Sequence, residues 1–130
     1  MRFLIFATLL GVLTLNANHV SWYGNFDKAH QQALKENKKL MVLLIEKDCK
    51  PCKETIKKTF INQLYIDKIN ENFISVIVTK GQKDSYPIEM LYTFTYPTLF
   101  FLDSHELFIC EPMRGEVTPD KLKSYLKRCD

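Results

Sequence analysis

Two cysteines two residues apart form the most reactive grouping in the chain: Cys49-Lys50-Pro51-Cys52. An apolar run at 40–45 precedes them and a stretch of helical character at 53–60 follows. The pair therefore sits where a strand hands over to a helix. A helix N-terminus offers unpaired N–H groups and a partial positive charge, and both stabilise a thiolate. The thiolate is the nucleophile in disulfide exchange, so this placement lowers the pKa of the first cysteine and activates it. Cys49 is then expected to be the exposed attacking thiol. Cys52, about one turn further in, would be shielded and would resolve the mixed disulfide. Lys47, Lys50 and Lys53 add positive charge nearby, while Glu46, Asp48 and Glu54 oppose it, which leaves the net shift open.

The same spacing serves other chemistry. It is half of a zinc site, but a second close pair is missing, since Cys110 and Cys129 lie far apart. It attaches haem when His follows, but here Lys53 follows. It also makes a plain structural disulfide. The strand before and the helix after favour the redox use, so neither a metal nor an organic cofactor is expected.

A frame of modest size must hold this pair. The chain has 130 residues, enough for one domain and one core. It is 46% hydrophobic and 25% charged, as globular proteins are. A net charge of +3, with lysines spread along the chain, is too mild to argue for nucleic acid or a membrane surface. Residues 1–17 read as a secretion signal: Met1-Arg2 is a short positive start, 3–15 is apolar, and Ala17 is a small residue suited to cleavage. The apolar part is shorter than the roughly 20 residues of a spanning helix. The reading is a signal peptide at 1–17 and a single domain at 18–130, exported to the periplasm, where disulfides persist.

Along the domain, 26–37 follows helical spacing, with Phe26, Ala29, Ala33 and Leu34 on one stripe and Asn25 or Asp27 as cap. Residues 40–45 are apolar on consecutive positions, as in a strand buried on both faces. A helix beyond the cysteines breaks near Asn62 and runs on to Asn70, with Pro51 in its first turn. Strands are expected at 73–79, 99–102 and 107–113, the last on an edge because of Pro112. A short helix is expected at 87–94. Thr118 and Pro119 open a closing helix. Strands joined through a helix favour a parallel pair, and strands joined by the tight turn at 103–106 require an antiparallel one. The fold class is α/β: a mixed four-stranded sheet, with room for an extra N-terminal element, flanked by helices on both faces.

This pattern resembles the thioredoxin superfamily over essentially the whole domain. The resemblance rests on the strand before Cys49-Lys50-Pro51-Cys52, on Tyr96-Pro97-Thr98 opening a later strand, and on the antiparallel pair followed by Gly115 and a helix. Trp22, the 26–37 helix, Lys38-Lys39 and Glu71-Asn72-Phe73 resemble the secreted single-domain members of bacteria. The resemblance implies a thioredoxin fold in which Pro97 is cis and lies beside the cysteines. It implies that Tyr96 faces the substrate and that Lys50-Pro51 tunes the redox couple. It also implies protein thiols and disulfides as substrates, a membrane redox partner and a monomer. A proline second between the cysteines, as thioredoxin has, favours a reductase. The compartment and the lysines fit an oxidant or isomerase, and a non-catalytic peptide-binding module is the remaining alternative.

Two departures stand out. Thioredoxin has an aromatic residue before its first cysteine, where this chain has Asp48, and a buried carboxylate six residues before it, where this chain has Leu43. Cys110 and Cys129 are candidates for a structural disulfide. A strand from Cys110 to Gly115 spans roughly 17 Å and a helix from Thr118 to Cys129 returns roughly 16 Å, so the two ends can lie level. The alternative is two unpaired thiols. His19, His30 and His105 read as surface residues. Phe94, Tyr96, Phe100 and Phe101 divide between the core and the rim of the site, with only Tyr96 assigned to substrate contact.

Overall fold

The computed structural model describes residues 19–61 and 63–129, with the backbone alone described at Gln63 and Leu64. The leader read at 1–17 lies outside the described residues. In chain order the elements are β1 (Trp22–Tyr23), α1 (Phe26–Glu36), β2 (Lys39–Ile45), α2 (Lys50–Glu54), α3 (Gln63–Asn72), β3 (Phe73–Thr79), β4 (Thr98–Leu102), β5 (Met113–Arg114) and α4 (Pro119–Arg128). Between α2 and α3 the helix widens into a π-helical stretch, Thr55–Thr59.

The strands form one sheet in the order β1-β3-β2-β4-β5. β2 runs parallel to β3 and antiparallel to β4. β1 adds to the far side of β3 in parallel, with Trp22 opposite Ser75. The extra N-terminal element is thus a short fifth strand. Two residues are too few to show a period of two.

β2 is apolar on consecutive positions because both its faces are covered. Leu40, Val42 and Leu44 face Phe26, Ala29 and Ala33 of α1. Met41 and Leu43 face the opposite layer, with Phe60, Ile66, Leu122 and Leu126. Asn25 caps α1, its side chain accepting the Lys28 N–H at 2.9 Å. Asn37 ends α1 at φ 54, in the left-handed region that Asn tolerates. Thr118 caps α4, accepting the Lys121 N–H at 3.3 Å. Gly115, at φ +91, turns the chain between β5 and α4.

Two expected elements are not formed as read. The 87–94 stretch makes one turn, closed by the Leu91 N–H on the Pro87 carbonyl at 2.9 Å. It goes no further because the Thr93 hydroxyl takes the Thr95 N–H, a local bond that competes with a helix. The strand read at 107–113 is interrupted. Phe108 pairs with Leu102, and Met113–Arg114 pairs with Leu99 and Thr98. The register slips by two residues in between. Pro112 has no N–H to give the ladder, and Cys110 turns towards the end of α4.

Candidate active site

Cys49 is the N-cap residue of α2, in extended conformation at φ −99 and ψ 104, and its Sγ accepts the Cys52 N–H at 3.1 Å. That hydrogen bond is the contact expected to favour a thiolate at the start of a helix. Here the sulfur stands in the oxidised state: Cys49 and Cys52 are bonded at 2.01 Å. Both cysteines are buried, Cys49 at 8% exposure and Cys52 at 2%, so Cys49 is the one an incoming group reaches. Pro51 lies in the first turn, where a missing N–H costs little. Asp48 precedes the pair at φ 54. Asp and Asn enter the left-handed region more readily than bulky side chains do, which gives a backbone reason for Asp48 in place of an aromatic residue.

The second wall of the site is the loop before β4. The Tyr96–Pro97 peptide bond is cis. The Tyr96 carbonyl oxygen lies 3.8 Å from Cys49 Sγ. It is thus the backbone of Tyr96 that faces the sulfur. Its ring is half-buried against the α1 side of the core, donates from its hydroxyl to the Thr93 carbonyl at 3.2 Å, and carries the Lys80 ammonium 5.4 Å from its centroid. The Gly115 N–H holds the Pro97 carbonyl at 2.8 Å, tying the loop to the turn after β5.

Two threonine hydroxyls brace this loop: Thr98, part of the Tyr96-Pro97-Thr98 motif, and Thr93, which no motif marked. Buried Thr93 accepts the Thr95 N–H at 3.1 Å and sits 3.0 Å from the Thr98 hydroxyl. Thr98 in turn donates to the Thr95 carbonyl at 2.6 Å. The helix carrying the cysteines is braced in the same way from the other side. Thr55 and Thr59 are buried, and their hydroxyls engage the N–H and the carbonyl of Val117 just before α4.

The electrostatic setting is mild. Lys47, Lys50 and Lys53 are exposed. The Lys58 ammonium, 2.8 Å from Glu54, holds that carboxyl below its ordinary value, by hydrogen bonding first and by charge second. Leu43 is fully buried in the apolar layer, so that position supplies no carboxylate to Cys52. Lys57 is exposed on the π-helical stretch. Among the described residues, no cluster of three or more His, Cys, Asp and Glu side chains is arranged to hold a metal ion.

Cys110 and Cys129 are bonded at 2.09 Å, joining the irregular segment before β5 to the end of α4. Cys129 is fully buried. His30 reaches the Ser104 carbonyl at 2.9 Å and Glu106 at 3.5 Å, on the side of the sheet where α1 packs. Of the four aromatics, Phe100 and Phe101 are core residues, and Phe94 is almost wholly exposed.

The thioredoxin-like family profile matches residues 21–104. The chain belongs to the thioredoxin-like family. The match spans β1 to β4 and includes the cysteine pair and Pro97. No curated protein sequence matches the chain. Among solved structures, a protein from Bacteroides thetaiotaomicron described as a putative disulphide-isomerase is 26% identical. That alignment covers 85% of this chain and 93% of the other, with a TM-score of 0.69. The C-terminal domain of Neisseria meningitidis DsbD in its oxidised form is 20% identical over 85% of this chain and 100% of that one, TM-score 0.66. A DsbH oxidoreductase is 18% identical over 95% of each chain, TM-score 0.63. These last two share the thioredoxin-like fold. Among the described residues, no helix is long and apolar enough to cross a membrane.

Proposed function

We propose that this thioredoxin-like protein is a periplasmic thiol–disulfide oxidoreductase that reduces protein disulfides, with Cys49 and Cys52 as its catalytic residues. One observation carries the reading: a disulfide at the start of a helix, its outer sulfur 3.8 Å from the carbonyl that precedes a cis proline. In the reduced protein the Cys49 thiolate, held by the Cys52 N–H, attacks one sulfur of a substrate disulfide. A Cys49–substrate disulfide forms, and the departing substrate thiolate takes a proton. The Cys52 thiolate then attacks Cys49 Sγ, re-forming the Cys49–Cys52 bond and releasing the second substrate thiolate. Two electrons and two protons pass from the protein to the substrate.

Tyr96 and Pro97 form the wall along which the substrate chain lies, through the backbone of Tyr96, while Lys50-Pro51 tunes the couple. Cys110–Cys129 is structural. The leader at 1–17 supports export, and a reductase in an oxidising compartment needs electrons from a membrane redox partner. The protein acts as a monomer on protein thiols and disulfides, without nucleic acid or cofactor.

The test is turnover of insulin disulfides by the reduced protein. Replacing Cys49 by Ser abolishes turnover, and turnover that survives the change contradicts the mechanism. The 26% identical neighbour described as a putative disulphide-isomerase, together with the exposed lysines, favours isomerase or oxidant activity as a second reading.

A further inference from the structure

Two residues before the site's Tyr96, the loop holds a phenylalanine out into solvent. Phe94 is 85% exposed, the highest value among the large apolar side chains that face solvent. Its position is not that of a frayed tail. Thr93 before it is buried and hydrogen-bonded to Thr95 and close to Thr98, and cis Pro97 follows. With Thr93 locked inward, Phe94 is directed outward. Tyr92, also exposed, packs edge-on against it at 5.0 Å between ring centroids. Ile88, on the single turn before them, is exposed as well. Residues 91–102 carry no charged side chain. Leaving so much aromatic surface in water is unfavourable unless something covers it.

The chemistry of the site says what that is. A partner sulfur bonded to Cys49 must sit beside the Tyr96 carbonyl, 3.8 Å from Cys49 Sγ. The Phe94 and Tyr96 Cα atoms are at most about 7.6 Å apart, being two peptide units removed. An extended partner chain advances about 7 Å in two residues. The partner's residues two or three positions from its reacting cysteine are therefore within reach of Phe94. Resting on the reductase reading above, we infer that Phe94, with Tyr92 and Ile88 beside it, is a specificity-determining surface that selects protein segments bearing an apolar or aromatic side chain two or three residues from the reacting cysteine. The face of an aromatic ring is negative and an acidic side chain must be desolvated to reach it, so acidic neighbours are disfavoured.

The test uses the reduced protein and two short peptides, each in mixed disulfide with a coloured aromatic thiol. They differ only in having Phe or Ser two residues to either side of the cysteine. A small symmetrical disulfide of the same coloured thiol serves as control. The Phe peptide is expected to react about tenfold faster, the gain from covering roughly 55 Å² of apolar surface. Phe94→Ser brings the two peptides to equal rates and leaves the small disulfide within about twofold of wild type. Equal rates in the wild type, or a preference that survives Phe94→Ser, overturns the inference alone. A wild type that is dimeric in solution and becomes monomeric on Phe94→Ser, with the peptide preference unchanged, assigns the patch to a second copy and also overturns it. Failure of the wild type to react with the small disulfide overturns the reductase reading and this inference with it.

Discussion

Breaking the Cys110–Cys129 bond should cost about twice the stability that breaking the Cys49–Cys52 bond costs, although the two are chemically the same. A cross-link stabilises mainly by restricting the unfolded chain, and the restriction grows with the loop it closes. The Cys110–Cys129 loop has a sequence separation of 19, against 3 for the other pair. The chain-entropy relation gives about 3 kcal/mol for the longer loop and about 1.6 kcal/mol for the shorter. A domain of roughly 110 ordered residues unfolds with an entropy near 0.23 kcal/mol per kelvin, so about 3 kcal/mol lowers Tm by about 13 °C. The cleanest perturbation alters no atom but the bond. In a Cys49→Ala/Cys52→Ala background the sole remaining disulfide is Cys110–Cys129. Thermal unfolding followed by circular dichroism, with and without excess reductant, then reads its contribution directly. The expected drop on reduction is about 13 °C. A drop below about 4 °C would show that the link from the segment before β5 to α4 restricts little, and the structural role given to it would fail.

Thr93→Val keeps the shape of the side chain but strips the loop of its bracing hydroxyl, leaving the Thr95 N–H without that partner. The expected loss is about 1–3 kcal/mol in urea unfolding, with slower disulfide exchange because the Tyr96 carbonyl is less well held. A loss below about 0.5 kcal/mol would remove Thr93 from the account. Asp103 accepts backbone N–H groups from His105 and Leu107, and the Leu107 bond above all holds its carboxyl below the ordinary 3.8. Its folded value lies below its unfolded one, so its stabilisation is present above the unfolded value and is lost as pH falls through the folded value. Asp103→Ala should therefore be less stable than wild type near pH 7, with the gap closing below pH 3.8. A gap that does not change with pH contradicts that assignment.

The central elements were legible because burial on both faces leaves a strong pattern. β2 and β3 read as runs of Leu, Ile and Val, and α1 and α4 carried a cap and an apolar stripe. The cysteine pair and the cis proline were legible from spacing together with family resemblance. What could not be read was set by tertiary contact. β1 exists because two residues find an open edge of β3. The widening of the helix at Thr55–Thr59 accompanies two buried hydroxyls that bond the backbone of Val117, more than fifty residues further on. The 107–113 segment has strand composition, but Pro112 and the pull of Cys110 towards Cys129 divert it. Tyr96 and Phe94 show the same limit at the site. Both are aromatics before a proline, and only the packing around Thr93 decides that the Tyr96 ring turns inward and the Phe94 ring outward.

A reductase requires Cys49–Cys52 to be a reducing couple. Its reduction potential is read by equilibrating the protein with a graded thiol–disulfide buffer and counting Cys49–Cys52 thiols. The expected value is about −270 mV, as in thioredoxin, at which the dithiol gives electrons to most protein disulfides. A value of about −120 mV, as in the strong oxidant of the bacterial periplasm, would make the protein a disulfide donor and rule out the reductase.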